Sequence, residues 1–63
     1  MFVRRELATV LAALRYWQEE ITPHGEHAAR KYFESLKLRG IRPLSAAQIV
    51  RLSKRLRTEL ETL

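Results

Sequence analysis

His24 and His27, three residues apart, are the first pair whose type and spacing bear on chemistry. On a helix that spacing sets both imidazoles on one face, with Glu20 or Glu26 as neighbours, which is how a small metal site begins. A closed site needs further ligands, and the chain has no cysteine, no aspartate and no other histidine. We read both residues as solvent-facing members of a helix's first turn and expect no metal and no cofactor.

Acid–base and nucleophilic chemistry are equally poorly supplied. Glu19 and Glu20 are adjacent, so on a helix they point about 100° apart and cannot act as a pair. There is no Gly-x-Ser-x-Gly elbow and no glycine-rich phosphate loop. A chain of 63 residues is also short for the ~300 Å³ that a small-molecule site needs. The sequence therefore predicts no catalytic residue, no small-molecule substrate and no enzyme.

The basic residues are the stronger signal. The net charge is +5, but the first 29 residues carry three Arg against four Glu. Residues 30–57 carry nine Lys or Arg against Glu34 alone, and Glu59 and Glu61 follow. Phosphate binding requires little more than Lys and Arg gathered on one surface. Lys37, Arg39 and Arg42 flank a turn; Arg51, Lys54 and Arg55 fall on the polar face of the helix that follows, and Gln48 lies near its start. These seven are the candidate contacts to DNA or RNA. The competing reading is a solvated basic face, kept for solubility or for an acidic protein partner.

The elements that must position these residues are read from periodicity. Glycine and proline fall at two places only, Pro23 with Gly25 and Gly40 with Pro43. They cut the chain into three segments with helical spacing and no β-type alternation. The first helix is expected over about 3–21. Val3, Leu7, Val10, Leu14, Trp17 and Ile21 form its apolar stripe, with Leu11 widening it. Arg15 and Glu19 make an i,i+4 pair on the other side.

Thr22 and Pro23 read as the cap and first residue of a second helix, about 23–38, with Gly40 just past its end. Ala29, Tyr32, Phe33 and Leu36 are its apolar side. The third start is the sharpest local signal. Ser45 and Gln48 form a capping box, with Leu44 and Ile49 spaced as a hydrophobic staple. That helix runs over about 45–61 on the stripe Ile49, Leu52, Leu56, Leu60 and Leu63. The expected fold is one all-α domain, a three-helix bundle with a helix-turn-helix-like second half.

Size adds one further expectation. A domain this small buries only ~60% of the surface its unfolded chain exposes. Without cysteine there is no disulfide to staple it, so self-association, as a dimer or other homo-oligomer, is the remaining support. Ala8, Ala12 and Tyr16 make a ridge at i, i+4 and i+8 on the polar side of the first helix, along which another helix could approach. A protein-interaction or self-assembly module using this ridge is the alternative to nucleic-acid binding. No apolar run approaches the ~20 residues that span a bilayer. The segment Arg4–Leu14 only faintly mimics a secretion signal, because Glu6 interrupts it and no cleavage-type site follows. We expect a cytoplasmic protein with no membrane partner.

The segment ELATVLAALRYWQ at 6–18 resembles the opening of a group of short bacterial helical proteins with no established function. PLSAAQIVRL at 43–52 is similar to their closing segment, where a Leu-Ser cap also begins the last helix. The resemblance implies a small bacterial helical protein and carries no functional residue with it.

Overall fold

Apolar periodicity and local capping account for most of the architecture. The computed structural model describes residues 2–63. The first helix, α1, spans Arg4–Tyr16. Val3 precedes it in extended conformation, and its N–H donates to the Glu6 carboxylate at 3.0 Å. The helical path continues through a π turn, Trp17–Ile21, and a 3₁₀ turn, Thr22–His24. The second helix, α2, spans Glu26–Ser35, and the third, α3, spans Ala46–Thr62. No strand occurs among the described residues.

The break between α1 and α2 falls two to three residues later than the sequence predicts. Thr22 does not cap α2, and Pro23 is not its first residue. Instead Pro23 lies in the 3₁₀ turn, and Gly25 makes the corner at φ 90° and ψ 177°. Only glycine adopts that backbone conformation without strain. The physical reason for the π turn lies at Pro23. Its ring would strike the carbonyl four residues back in a regular α-helix, and it has no N–H to donate. The chain widens over Trp17–Ile21 and then tightens, which carries it past the proline without ending the helix.

The end of α2 also differs from expectation. The helix stops at Ser35, three residues before the predicted limit, and Gly40 does not terminate it. Lys37 takes the left-handed position instead, at φ 59°. Its N–H donates to the Glu34 carbonyl at 2.9 Å, and the Leu38 N–H donates to the Phe33 carbonyl at 2.9 Å. This pair of bonds is a Schellman motif. Phe33 and Leu38 line the same open cleft.

Helix α3 begins where the sequence places it. The Ser45 hydroxyl accepts from the Gln48 N–H at 3.3 Å, and the Gln48 amide oxygen accepts from the Ser45 N–H at 2.8 Å. Ile49 is buried and Leu44 stays partly exposed. The connection from α2 is ten residues, 36–45, and α3 packs chiefly on α1. The second half therefore has the element order of a helix-turn-helix without its short turn. The return segment brings Arg42 back to Glu26, so α2 and α3 begin at the same end of the molecule.

The core lies between α1 and α3 and is thin. Leu7 is 1% exposed and is the largest fully buried side chain. Ile21, Ala29, Pro43 and Ile49 are also buried. Val10, Leu11, Leu14, Trp17, Leu52, Leu56 and Leu60 are half-buried along the expected stripes, whereas Val3 and Leu63 at their ends are exposed. Trp17 lines a cleft with Ala46 and Gln48, and Ala8 lines one with Thr58 and Leu60, so α1 and α3 run antiparallel. The hydroxyl of Ser53, beside this seam, is buried and has no hydrogen-bond partner among the described residues.

Two stability predictions follow from these backbone and packing features. Ser53→Ala removes an unsatisfied hydroxyl and improves helix propensity, and should stabilise the chain by about 1 kcal/mol. Lys37→Gly should relieve the left-handed strain and gain roughly 0.5–1 kcal/mol despite the greater freedom of glycine in the unfolded chain. Thermal denaturation followed by circular dichroism should show each variant melting a few degrees higher. A lower midpoint for either would refute the assignment behind it.

Candidate nucleic-acid interface

On α3, Arg51, Lys54 and Arg55 are all exposed. At 100° per residue they occupy the side of the helix away from Ile49, Leu52, Leu56 and Leu60. Arg57 stands at the edge of that face, three residues beyond Lys54, and belongs with it. Arg57 was not among the sequence candidates; its i,i+3 spacing from Lys54 is the signal that places it there. Among the described residues, none of these four cations pairs with a carboxylate within 4.0 Å. Glu59 and Glu61 sit four residues after Arg55 and Arg57, the less favourable order for an i,i+4 pair.

The remaining candidates are distributed over several surfaces. Arg42, Gln48 and Arg51 line one open cleft of 700 Å³ together with Trp17, Glu26 and Pro43. Lys54 and Arg57 border a second, of 730 Å³, between α1 and α3. Arg39 and Arg42 border a third, of 760 Å³, beside α2. These volumes exceed the figure thought to be out of reach for so short a chain, but all three are wide surface clefts rather than enclosed pockets. Lys37 lies past the far end of α2, a helix of ten residues, about 15 Å of rise from its start. Lys37 is thus separated along α2 from the start of α3, whereas Arg39 shares a cleft with Arg42. Gln48 already uses its amide oxygen in the capping box, which removes its acceptor from any base-reading role.

Arg42 is engaged as well. Its Nε donates to Glu26 Oε1 at 2.8 Å, and Arg30 approaches the same oxygen at 3.5 Å. The Arg42 hydrogen bond is the main reason the Glu26 carboxyl is held below its ordinary range; desolvation opposes it, and the charges of Arg42 and Arg30 add smaller effects that lower it. The same bond raises Arg42 above the ordinary arginine value, so that guanidinium remains charged. Glu26 therefore fastens the start of α2 to the segment entering α3. Arg15 and Glu19 form the expected i,i+4 pair at 2.7 Å, fully in solvent.

The ridge of Ala8, Ala12 and Tyr16 is exposed along its length. Ala8 and Ala12 border the cleft shared with the chain's own α3, opposite Lys54 and Arg57. Tyr16 stands apart from that cleft. His24 and His27 are exposed, one in the 3₁₀ turn and the other in the first turn of α2. Among the described residues no three His, Asp or Glu side chains converge on a point that would hold a metal ion. No helix of the described residues is long and apolar enough to cross a membrane.

No protein-family model matches the chain, and searches of curated proteins and of solved structures returned no match.

The Glu26–Arg42 pair gives a pH prediction with a definite sign. Because folding lowers the Glu26 pKa, the pair's contribution is present above the unfolded carboxylate value. It is lost as pH falls through the lower folded value. In a carboxyl-carbon NMR titration Glu26 should titrate below the ordinary glutamate value, and Arg42→Gln should move its midpoint upward. An unmoved midpoint in Arg42→Gln would show that the pair does not form in solution.

Proposed function

We propose that this protein binds nucleic acid through the outer face of α3, by contact with the phosphate backbone. The observation that carries the reading is the set of four exposed cations, Arg51, Lys54, Arg55 and Arg57, none neutralised by a carboxylate. Charge left unpaired on one face of a rigid helix attracts a polyanion and releases its condensed counterions. Exposed cations in ion pairs would already be partly spent; Arg42 and Arg30 are examples.

The reading does not extend to base recognition. Major-groove readers use Asn, Gln or Arg at the start of the recognition helix. Here that start is Ala46, Ala47 and a Gln48 whose oxygen is held by Ser45. Backbone contact of this kind accepts DNA and RNA alike.

Fluorescence anisotropy with a labelled duplex of arbitrary sequence tests this directly. Four phosphate contacts give a slope of log K against log salt of about −3.6, so affinity should fall on the order of 10²-fold between about 50 and 200 mM salt. Replacing Arg51, Lys54 and Arg55 by Ala together should bring the slope to about −1 and weaken binding to unrelated sequences equally. Helical circular dichroism should be unchanged, since all three side chains are in solvent. Absence of binding at the lower salt would overturn the proposal and leave an acidic protein surface as the partner of α3.

A further inference from the structure

The four free cations of α3 do not all face the same way. At 100° per residue Arg51 and Arg55 lie on the outward side of the helix, and Lys54 and Arg57 turn toward α1. Those two border the cleft of 730 Å³ between α1 and α3, whereas Arg51 lines a different cleft with Trp17 and Pro43. Arg15 stands on the opposite wall, on α1, with its side chain in solvent. Between the walls the floor is low, because Ala8 and Ala12 end at Cβ. Ser53 lines the same cleft, and its hydroxyl, without a partner among the described residues, is free to donate. α2 does not cover this trough, since it packs against Trp17 on the other side of the seam.

Cations on two walls over a floor of small side chains suit a linear polyanion. Packed helices have axes roughly 8–10 Å apart, so the trough is narrow. A single strand enters it and meets cations on both sides. A double helix, wider than that spacing, touches only the rims. Tyr16 stands one turn beyond Ala12 on the α1 bank, outside the cleft, and is 61% exposed. Its ring offers a face to an unstacked base, which a duplex does not present. An acidic helix is the competing polyanion. It would set an apolar face on the floor and leave the Ser53 hydroxyl unpaired, whereas a phosphate oxygen accepts from it. Arg15 is held by Glu19 only through an ion pair in solvent, which exchanges for a phosphate at little cost.

We infer that the trough between α1 and α3 binds single-stranded nucleic acid, with its phosphates between Arg15 on one wall and Lys54 and Arg57 on the other. This rests on the nucleic-acid reading of α3 and narrows it, making a strand rather than a duplex the preferred ligand.

Fluorescence anisotropy with a labelled single strand and its duplex, each against two variants of equal charge, tests the inference. Lys54→Ala with Arg57→Ala removes the trough cations, and Arg51→Ala with Arg55→Ala removes the outward ones. Duplex affinity should fall equally in both. Strand affinity should fall at least about tenfold in the first and less than about twofold in the second. For three phosphate contacts the strand's salt slope should be about −2, shallower than the duplex value. Tyr16→Ala should weaken the strand at least about fivefold and leave the duplex unchanged. Equal strand losses in the two double variants would overturn the inference and leave the nucleic-acid reading standing. So would a Tyr16→Ala variant that binds the strand as the wild type does. Salt-dependent binding of neither ligand would remove both readings. An oligoglutamate peptide that displaces the strand at equal concentration would assign the trough to an acidic protein instead. The substituted side chains are all exposed, so circular dichroism should be unchanged. The wild type alone gives a reading that no misfolded variant affects: at about 200 mM salt the strand should bind several-fold tighter than the duplex, and the reverse order would overturn the inference.

Discussion

Trp17 stands at the joint between α1 and α2, and the position of α2 depends on what its indole touches. The Tyr32 ring meets it edge-on with centroids 5.8 Å apart, and the Phe33 ring lies tilted at 6.3 Å. Aromatic pairs of this geometry contribute beyond their buried area, by about 0.5–1.5 kcal/mol each. Apart from this cluster, α2 is held by Ala29 against the preceding turn and by Glu26 reaching Arg42. α1 and α3, by contrast, share a continuous apolar seam. The molecule is thus a helical pair with a third helix attached at one end.

Much of this arrangement was legible in the sequence, for identifiable reasons. The Ser45–Gln48 box is a local signal completed within four residues, and it forms as read. The stripe from Leu7 to Ile21 has enough repeats to fix the buried side of α1. What misled was punctuation. Residue type predicts that Pro23 opens a helix, yet a π turn carries the preceding helix past it, and the positive φ of Gly25 makes the corner. Residue type predicts that Gly40 closes α2, yet Lys37 takes the left-handed position, where its N–H and that of Leu38 reach the carbonyls of Glu34 and Phe33. Both choices are settled by which backbone groups find partners, and residue type alone does not decide that.

The basic cluster was legible as a composition and only partly as a surface. Arg51, Lys54 and Arg55 share a face because helix geometry dictates it, and Arg57 extends that face. Arg42, although close in sequence to α3, is drawn away by an acid sixteen residues earlier. No periodicity reports a pairing at that separation. The seven candidate residues therefore divide into a coherent group on α3, one arginine spent on a structural contact, one capping glutamine, and two cations beyond the end of α2.

The pairing of α1 with α3 also imposes an order on folding. Leu7 has no partner until the chain beyond Ser45 is available, because the intervening α2 does not cover the Leu7 end of α1. Residues 17–45 form the loop that must close before the core exists. For a loop of that length the entropy of closure is about 3 kcal/mol plus a constant. The capping box at Ser45 and the local turn at Gly25 need no such closure and are available early. A nascent chain ending before Ala46 therefore carries a helical hairpin with its apolar stripe uncovered, and that stripe is exposed to other chains until α3 arrives.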